Sequence, residues 1–166
     1  MTSANWVMST ESLDSLTLNN EYSLAVVEEL RAAGWQPGRS VDVEGWVALL
    51  EDGGLTAHTA ARAFLAEFGG LRFMFSGPGV ECAREPFLLD PSVCEGEEEV
   101  FLEWGEELAL SLFPIGERAE GVAFLAIDEH GAVIALGSGV ATTYGQVPEA
   151  FEKMLLGYDA EVLGEG

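Results

Sequence analysis

The order of elements in this sequence predicts an α+β fold: one domain, a mixed or antiparallel sheet, and helices packed against it. Three observations carry that expectation. Apolar stripes at helical spacing come first, between residues 20 and 70. Short apolar runs bounded by turn residues follow, and a last helical pattern ends near residue 155. Regular alternation of strand and helix, the mark of a doubly wound parallel sheet, is absent. At 166 residues the chain falls within the span of one domain, and no repeat or linker divides it.

Residues 1–19 are rich in Ser, Thr and Asn and read as a loose leader, with Trp6, Leu13, Leu16 and Leu18 able to dock on the body. The domain proper is expected over 20–157. Asn20 is placed to cap a first helix whose face holds Tyr22, Val26, Val27, Leu30 and Ala33, with Gly34 as its stop and Pro37 beyond. Asp42 caps a second, with Trp46, Leu49 and Leu50 as its apolar set and Gly53-Gly54 as its end. Thr56 caps a third through Ala57, Ala60, Ala61, Phe64, Leu65 and Phe68, closed by Gly69-Gly70.

Leu71 to Phe75 and Val80 to Leu89 read as strands around the Gly77-Pro78-Gly79 turn. A fourth helix is expected over roughly 97–110. Strands follow at 112–117, 122–127 and 132–136, the last two joined by a tight turn at Asp128-Glu129-His130-Gly131, with a short strand at 140–144. Pro148 suits the first turn of a final helix through Phe151, Met154 and Leu155, ended by Gly157. Residues 158–166 read as a frayed tail.

Charge narrows the function. With 29 Asp plus Glu against 7 Lys plus Arg, the formal net charge is −22. Mean hydropathy is +0.19, so the chain is apolar enough to fold and wears its charge outside. Such a surface repels nucleic acid, whose binding rests on neutralised phosphates, and anionic membranes as well. It attracts a basic protein at long range. Cys82 and Cys94 form no metal pattern and read as free thiols of a reducing compartment. With no apolar run of signal or membrane-span length, the expected location is the cytoplasm.

A search for catalytic constellations returns none. The single lysine, Lys153, follows no glycine-rich loop, which excludes a phosphate-binding loop of that type. Gly137-Ser138-Gly139 lacks a third glycine and reads as a turn or bulge. His58 and His130 have no Cys, Asp or Glu at ligand spacing on a shared face, so capping or surface roles are expected of them. Among 29 acids, any carboxylate pair is uninformative. The expectation is a binding protein, not an enzyme, with no metal and no cofactor.

One local pattern stands out. Glu95, Glu97, Glu98, Glu99, Glu103, Glu106 and Glu107 occupy a stretch without Lys or Arg. Glu95, Glu99, Glu103 and Glu107 are four apart and would align along one helix edge, opposite Val100, Phe101, Trp104 and Leu108. Glu97 falls on the apolar side of the wheel and is placed in the first turn, where its charge suits the helix dipole. Three like-charge pairs at that spacing disfavour the helix by about 1 kcal/mol in all. The ridge formed by Glu95, Glu98, Glu99, Glu103, Glu106 and Glu107 has two readings: a surface for a cationic partner, or a solvated face in an acidic protein.

Four segments in order resemble the SUKH superfamily, specifically its third family of immunity proteins. They are Leu30 to Arg39 (LRAAGWQPGR), Phe64 to Leu71 (FLAEFGGL), Phe113 to Glu117 (FPIGE) and Phe124 to Gly131 (FLAIDEHG), with the closing helix from Ala150 to Gly157. The likeness runs from about Tyr22 to Gly157. It implies an α+β domain and a bacterial polymorphic toxin system, in which the protein binds and neutralises a cognate toxin, often a nuclease. It brings no catalytic residues. Its motif positions look structural: Gly34, Gly69 and Gly70 ending helices, Trp35 beside the first of them, and Pro114, Gly116 and Gly131 shaping turns. The alternative from the wider superfamily is an intracellular scaffold or regulatory adaptor with no toxin partner.

Overall fold

A computed structural model describes residues 22–166. The expected docking of Trp6, Leu13, Leu16 and Leu18 and the Asn20 cap lie outside the described residues. Among the described residues there are five α-helices: α1 (Leu24–Ala32), α2 (Glu44–Glu51), α3 (Thr59–Phe68), α4 (Glu98–Leu108) and α5 (Glu149–Leu156). The strands are β1 (Arg72–Phe73), β2 (Phe87–Leu88), β3 (Phe113–Arg118), β4 (Ala123–Ile127), β5 (Ala132–Gly137), β6 (Val140–Gln146) and β7 (Glu161–Glu165). They form one sheet in the order β1-β2-β3-β4-β5-β6-β7, every pair antiparallel.

The first three helices appear where their stripes place them, but their caps differ. Ser23 caps α1, its hydroxyl accepting the Val26 amide hydrogen at 3.3 Å. At α2 the cap position is Val43, with no side-chain bond; Asp42 sits one residue too early and accepts from the Glu44 amide at 3.0 Å. Val47 and Leu50 form the buried face, with Trp46 packed partly exposed beside them. Helix α3 starts three residues after Thr56. His58 caps it, Nδ1 accepting from the Ala61 amide at 3.1 Å. Histidine is an uncommon cap, and the more familiar Thr56 concealed it.

The two strands expected at 71–75 and 80–89 shrink to two paired residues each. The segment between them bonds elsewhere. Val80 donates to the Leu156 carbonyl at 2.9 Å, while Glu81 and Cys82 donate to that of Gly157 at 2.8 and 3.0 Å. These are carbonyls at the C-terminal end of α5, which have no partner within their helix. Gly79 and Gly157 allow the approach, since a Cβ on Gly157 would lie 2.7 Å from the Gly79 Cα.

Pro114 and Gly116 do not shape a turn. Both lie inside β3, at a register shift against β4. The turns at 128–131 and 137–139 do form. The Asp128 carboxylate accepts from the amides of His130 and Ala132, both at 2.9 Å, and Gly131 has φ +88°. The segment expected to fray instead forms β7 against β6. Within β7 only the adjacent Val162 and Leu163 are apolar, which gave no clear period-two signal.

Both faces of the sheet are covered. Phe64, Phe68 and Phe151 pack with ring centroids 4.6–5.9 Å apart and join α3 to α5, with Tyr22 edge-on to Phe151. Phe64 and Ile127 share a groove, which brings this aromatic layer to one side of β4. Phe124 is three residues before Ile127 in regular pairing and points the other way. It meets Phe101 of α4 at 5.7 Å. Helix α4 thus lies alone among the helices in touching the Phe124 side through an aromatic pair.

Candidate functional site

Helix α4 holds the acidic residues. Glu98 and Glu99 occupy its first turn, where carboxylates suit the positive end of the helix, and Glu97 is the exposed cap residue just before them. Phe101 and Gly105 are buried; Val100, Trp104 and Leu108 pack partly exposed on the core. Trp104 and Leu108 lie beneath β7, whose Gly164 leaves room for both: a Cβ there would be 3.3–3.4 Å from their side chains.

The helix closes with two reversed backbone bonds. Ala109 donates to Glu106 O at 3.3 Å and Leu110 to Gly105 O at 2.9 Å, with Ala109 left-handed at φ 56°. This Schellman closure ordinarily takes glycine at the left-handed position. Gly105 is needed because a Cβ there would press to 2.7 Å on the Leu110 carbonyl. The following loop is pinned at Ser111. Nε2 of His58 lies 3.0 Å from Ser111 O, and the Glu129 carboxylate accepts the Ser111 amide hydrogen. With Nδ1 accepting from Ala61, Nε2 carries the proton that faces Ser111 O. Burial pushes the Glu129 carboxyl upward, but the Ser111 bond and the nearby His130 and His58 outweigh it and hold it below the ordinary carboxylate value.

Glu99, Glu103 and Glu107 form one exposed row along α4. Glu95 does not join it. It ends a short 3-10 helix at Pro91–Cys94 and is separated from α4 by Gly96 at φ +89°. The row therefore has two like-charge i,i+4 pairs, where the spacing alone suggested three. Glu98, Leu102 and Glu106 form a neighbouring row. Glu98 is half-buried against Gly53, where any Cβ would come within 2.4 Å of its Cγ; Glu106 is exposed. Leu102, missed as a surface residue, is 46% exposed between these acids. Its position four residues from each was the available signal.

Among the described residues, no ion pair offsets this face. The sequence has no Lys or Arg between Arg84 and Arg118. Three arginines are paired elsewhere: Arg62 with Glu44 at 2.7 Å, Arg84 with Glu29 at 3.2 Å and Arg118 with Glu85 at 3.1 Å. Arg39 donates to the carbonyls of Glu67 and Gly69 at 2.6 and 2.7 Å, and Arg31 lies over the Trp35 ring. Among the described residues, no ion pair reaches the α4 glutamates.

The remaining motif residues act in the frame. Gly34 (φ +110°) ends α1, and buried Trp35 donates from Nε1 to Glu67 at 3.0 Å. Gly69 underlies Trp46, whose ring would be 2.5 Å from a Cβ there, and Gly70 donates to Leu89 O at 2.6 Å. Both cysteines are free; burial pushes the Cys94 thiol up to about 12. Among the described residues, no cluster of His, Cys, Asp or Glu is arranged to hold a metal ion, and no helix is long and apolar enough to cross a membrane.

The family model described as SUKH-3 immunity protein matches residues 22–157, from Tyr22 before α1 to the glycine that ends α5. Strand β7 lies beyond the match. No curated protein and no solved structure matches the chain. The match covers most of the sequence and takes in all five helices, the acidic α4 among them; the chain belongs to the SUKH-3 immunity protein family.

Proposed function

We propose that this protein neutralises a cognate protein toxin by binding it through the acidic face of α4. The observation that carries the reading is a row of exposed carboxylates on a helix that, among the described residues, no ion pair reaches. Two like-charge pairs at i,i+4 cost about 0.2–0.5 kcal/mol each, and Glu106 and Glu107 add to the negative end of the helix dipole. A positively charged partner removes that repulsion on binding. A nuclease toxin fits the description, because a surface that grips phosphate is basic. Blocking it needs no chemistry from the inhibitor, only occupancy of the basic face, and opposite charge speeds the encounter. Both steps take place in the cytoplasm of the cell that makes the two proteins.

The test is whether the product of the gene adjacent to this protein's own forms a complex with it. Reversing Glu99, Glu103 and Glu106 together to Lys is expected to weaken the complex at least about 100-fold, with the isolated variant folding normally by circular dichroism. Unchanged affinity would remove α4 from the interface.

A further inference from the structure

The groove at the C-terminal end of α4 carries a more specific statement. It has a volume of about 410 Å³ and lies between Leu102, Gly105 and Glu106 of the helix, Gly54 and Leu55 after α2, and Leu112 before β3. We propose that this groove receives one arginine or lysine side chain of the toxin, a reading that rests on the α4 interface above.

Three features of different origin meet there. The floor is apolar, because Leu55, Phe101 and Leu112 are buried beneath it and Leu102 forms an open wall. The rim is anionic, because α4 ends at this point with no basic residue in its last turn and with Glu106 on the lip. Helix ends of this kind are stabilised by a cation, and among the described residues no ion pair forms there. The shape is set before any partner arrives, because the Schellman closure and the His58 and Glu129 bonds to Ser111 fix the loop that forms the far wall.

An apolar trough ending in negative charge matches one side-chain construction, a methylene stem with a cationic tip. A purely aliphatic anchor would fill the trough and leave the carboxylate and the helix end without a counter-charge. A second copy of this chain is opposed by its own net charge of −22. Arginine suits the site better than lysine, since its planar fork can engage the Glu106 carboxylate through two donors.

A double-mutant cycle with the toxin encoded beside this gene tests the assignment. Each Arg and Lys of the toxin is replaced by Met, and each variant is titrated against the wild-type protein and against Leu102→Ala and Glu106→Gln. One toxin position is expected to lose about tenfold in affinity against the wild type and little against either variant, a coupling of about fivefold or more. If no toxin position couples by that factor while reversal of Glu99 and Glu103 still weakens the complex, the groove is empty and the interface stands. If reversal of Glu99 and Glu103 also leaves affinity unchanged, the α4 interface falls, and the groove assignment falls with it. Leu102 and Glu106 are both exposed, so neither variant removes buried structure, and equal thermal unfolding of the free proteins checks this.

Discussion

A Cβ built on Gly116 would stand 1.8 Å from the carbonyl oxygen of Leu88. The contact arises where β2 pairs with β3 and β3 slips register against β4, so the backbones are drawn together at a point where pairing is irregular. The Gly116 carbonyl in turn accepts from the Cys94 thiol at 3.4 Å, which ties the 3-10 helix to the same strand. Gly116→Ala is expected to lower stability by about 3 kcal/mol or more, because backbone, not a flexible side chain, must move. Urea unfolding measures it, and a loss below about 1 kcal/mol would contradict the geometry.

His58 holds two elements with one ring. Replacing it with Ala removes the α3 cap and the bond to Ser111, for an expected loss of about 1–2 kcal/mol. Asp at the same position can restore the cap but does not donate to Ser111 O. It is expected to recover about half of that loss in equilibrium unfolding. Equal stability of the Ala variant and the wild type would show that neither bond contributes.

Ala109 is the reverse case, a residue that works against its own backbone. Left-handed φ costs an L-residue about 1 kcal/mol that glycine avoids. Ala109→Gly is expected to raise stability by about 0.5–1 kcal/mol in denaturant titration, and a decrease would mean that the methyl group packs usefully in the groove.

The two thiols are expected to behave differently. At pH 8 an aromatic disulfide reagent reacts with one thiol per native molecule, the exposed Cys82, and with two after unfolding. Burial raises the Cys94 thiol to about 12 from an ordinary 9.0, so the neutral form is the one the fold favours. Its contribution to stability is complete below about pH 9 and is lost as pH rises from there toward about 12. Cys94→Ala is expected to flatten that alkaline decline in unfolding curves taken between pH 8 and 11. A decline equally steep in the variant would assign it to other groups.

Much of this architecture was written in apolar spacing. The stripes of α1 and α3 and the runs of β3 to β6 each bury the face they advertised. What escaped was set by distant partners. His58 caps a helix because Ala61 and Ser111 converge on its ring. The segment between β1 and β2 abandons a strand because the carbonyls of α5 are available to it. Strand β7 pairs with β6 over Trp104 and Leu108, where Gly164 leaves room for both side chains. The acidic helix itself was legible from its glutamates, but Gly96 cut Glu95 from the row and the loop after α2 made Leu102 part of a groove. The wall opposite Leu102 comes from residues about fifty positions away, which no local pattern shows.

The sheet also joins each strand to the one made just before it, from β1 through β7. Three of these connections, β3-β4, β4-β5 and β5-β6, are short hairpins, and local pairings of that kind form quickly. Other contacts span long stretches of chain, as at the start of the domain, where the Ser23 amide meets Glu152 at 2.6 Å across 129 positions. During translation the β3 to β6 hairpins can therefore assemble one after another as they leave the ribosome, while α1 waits for α5 to emerge.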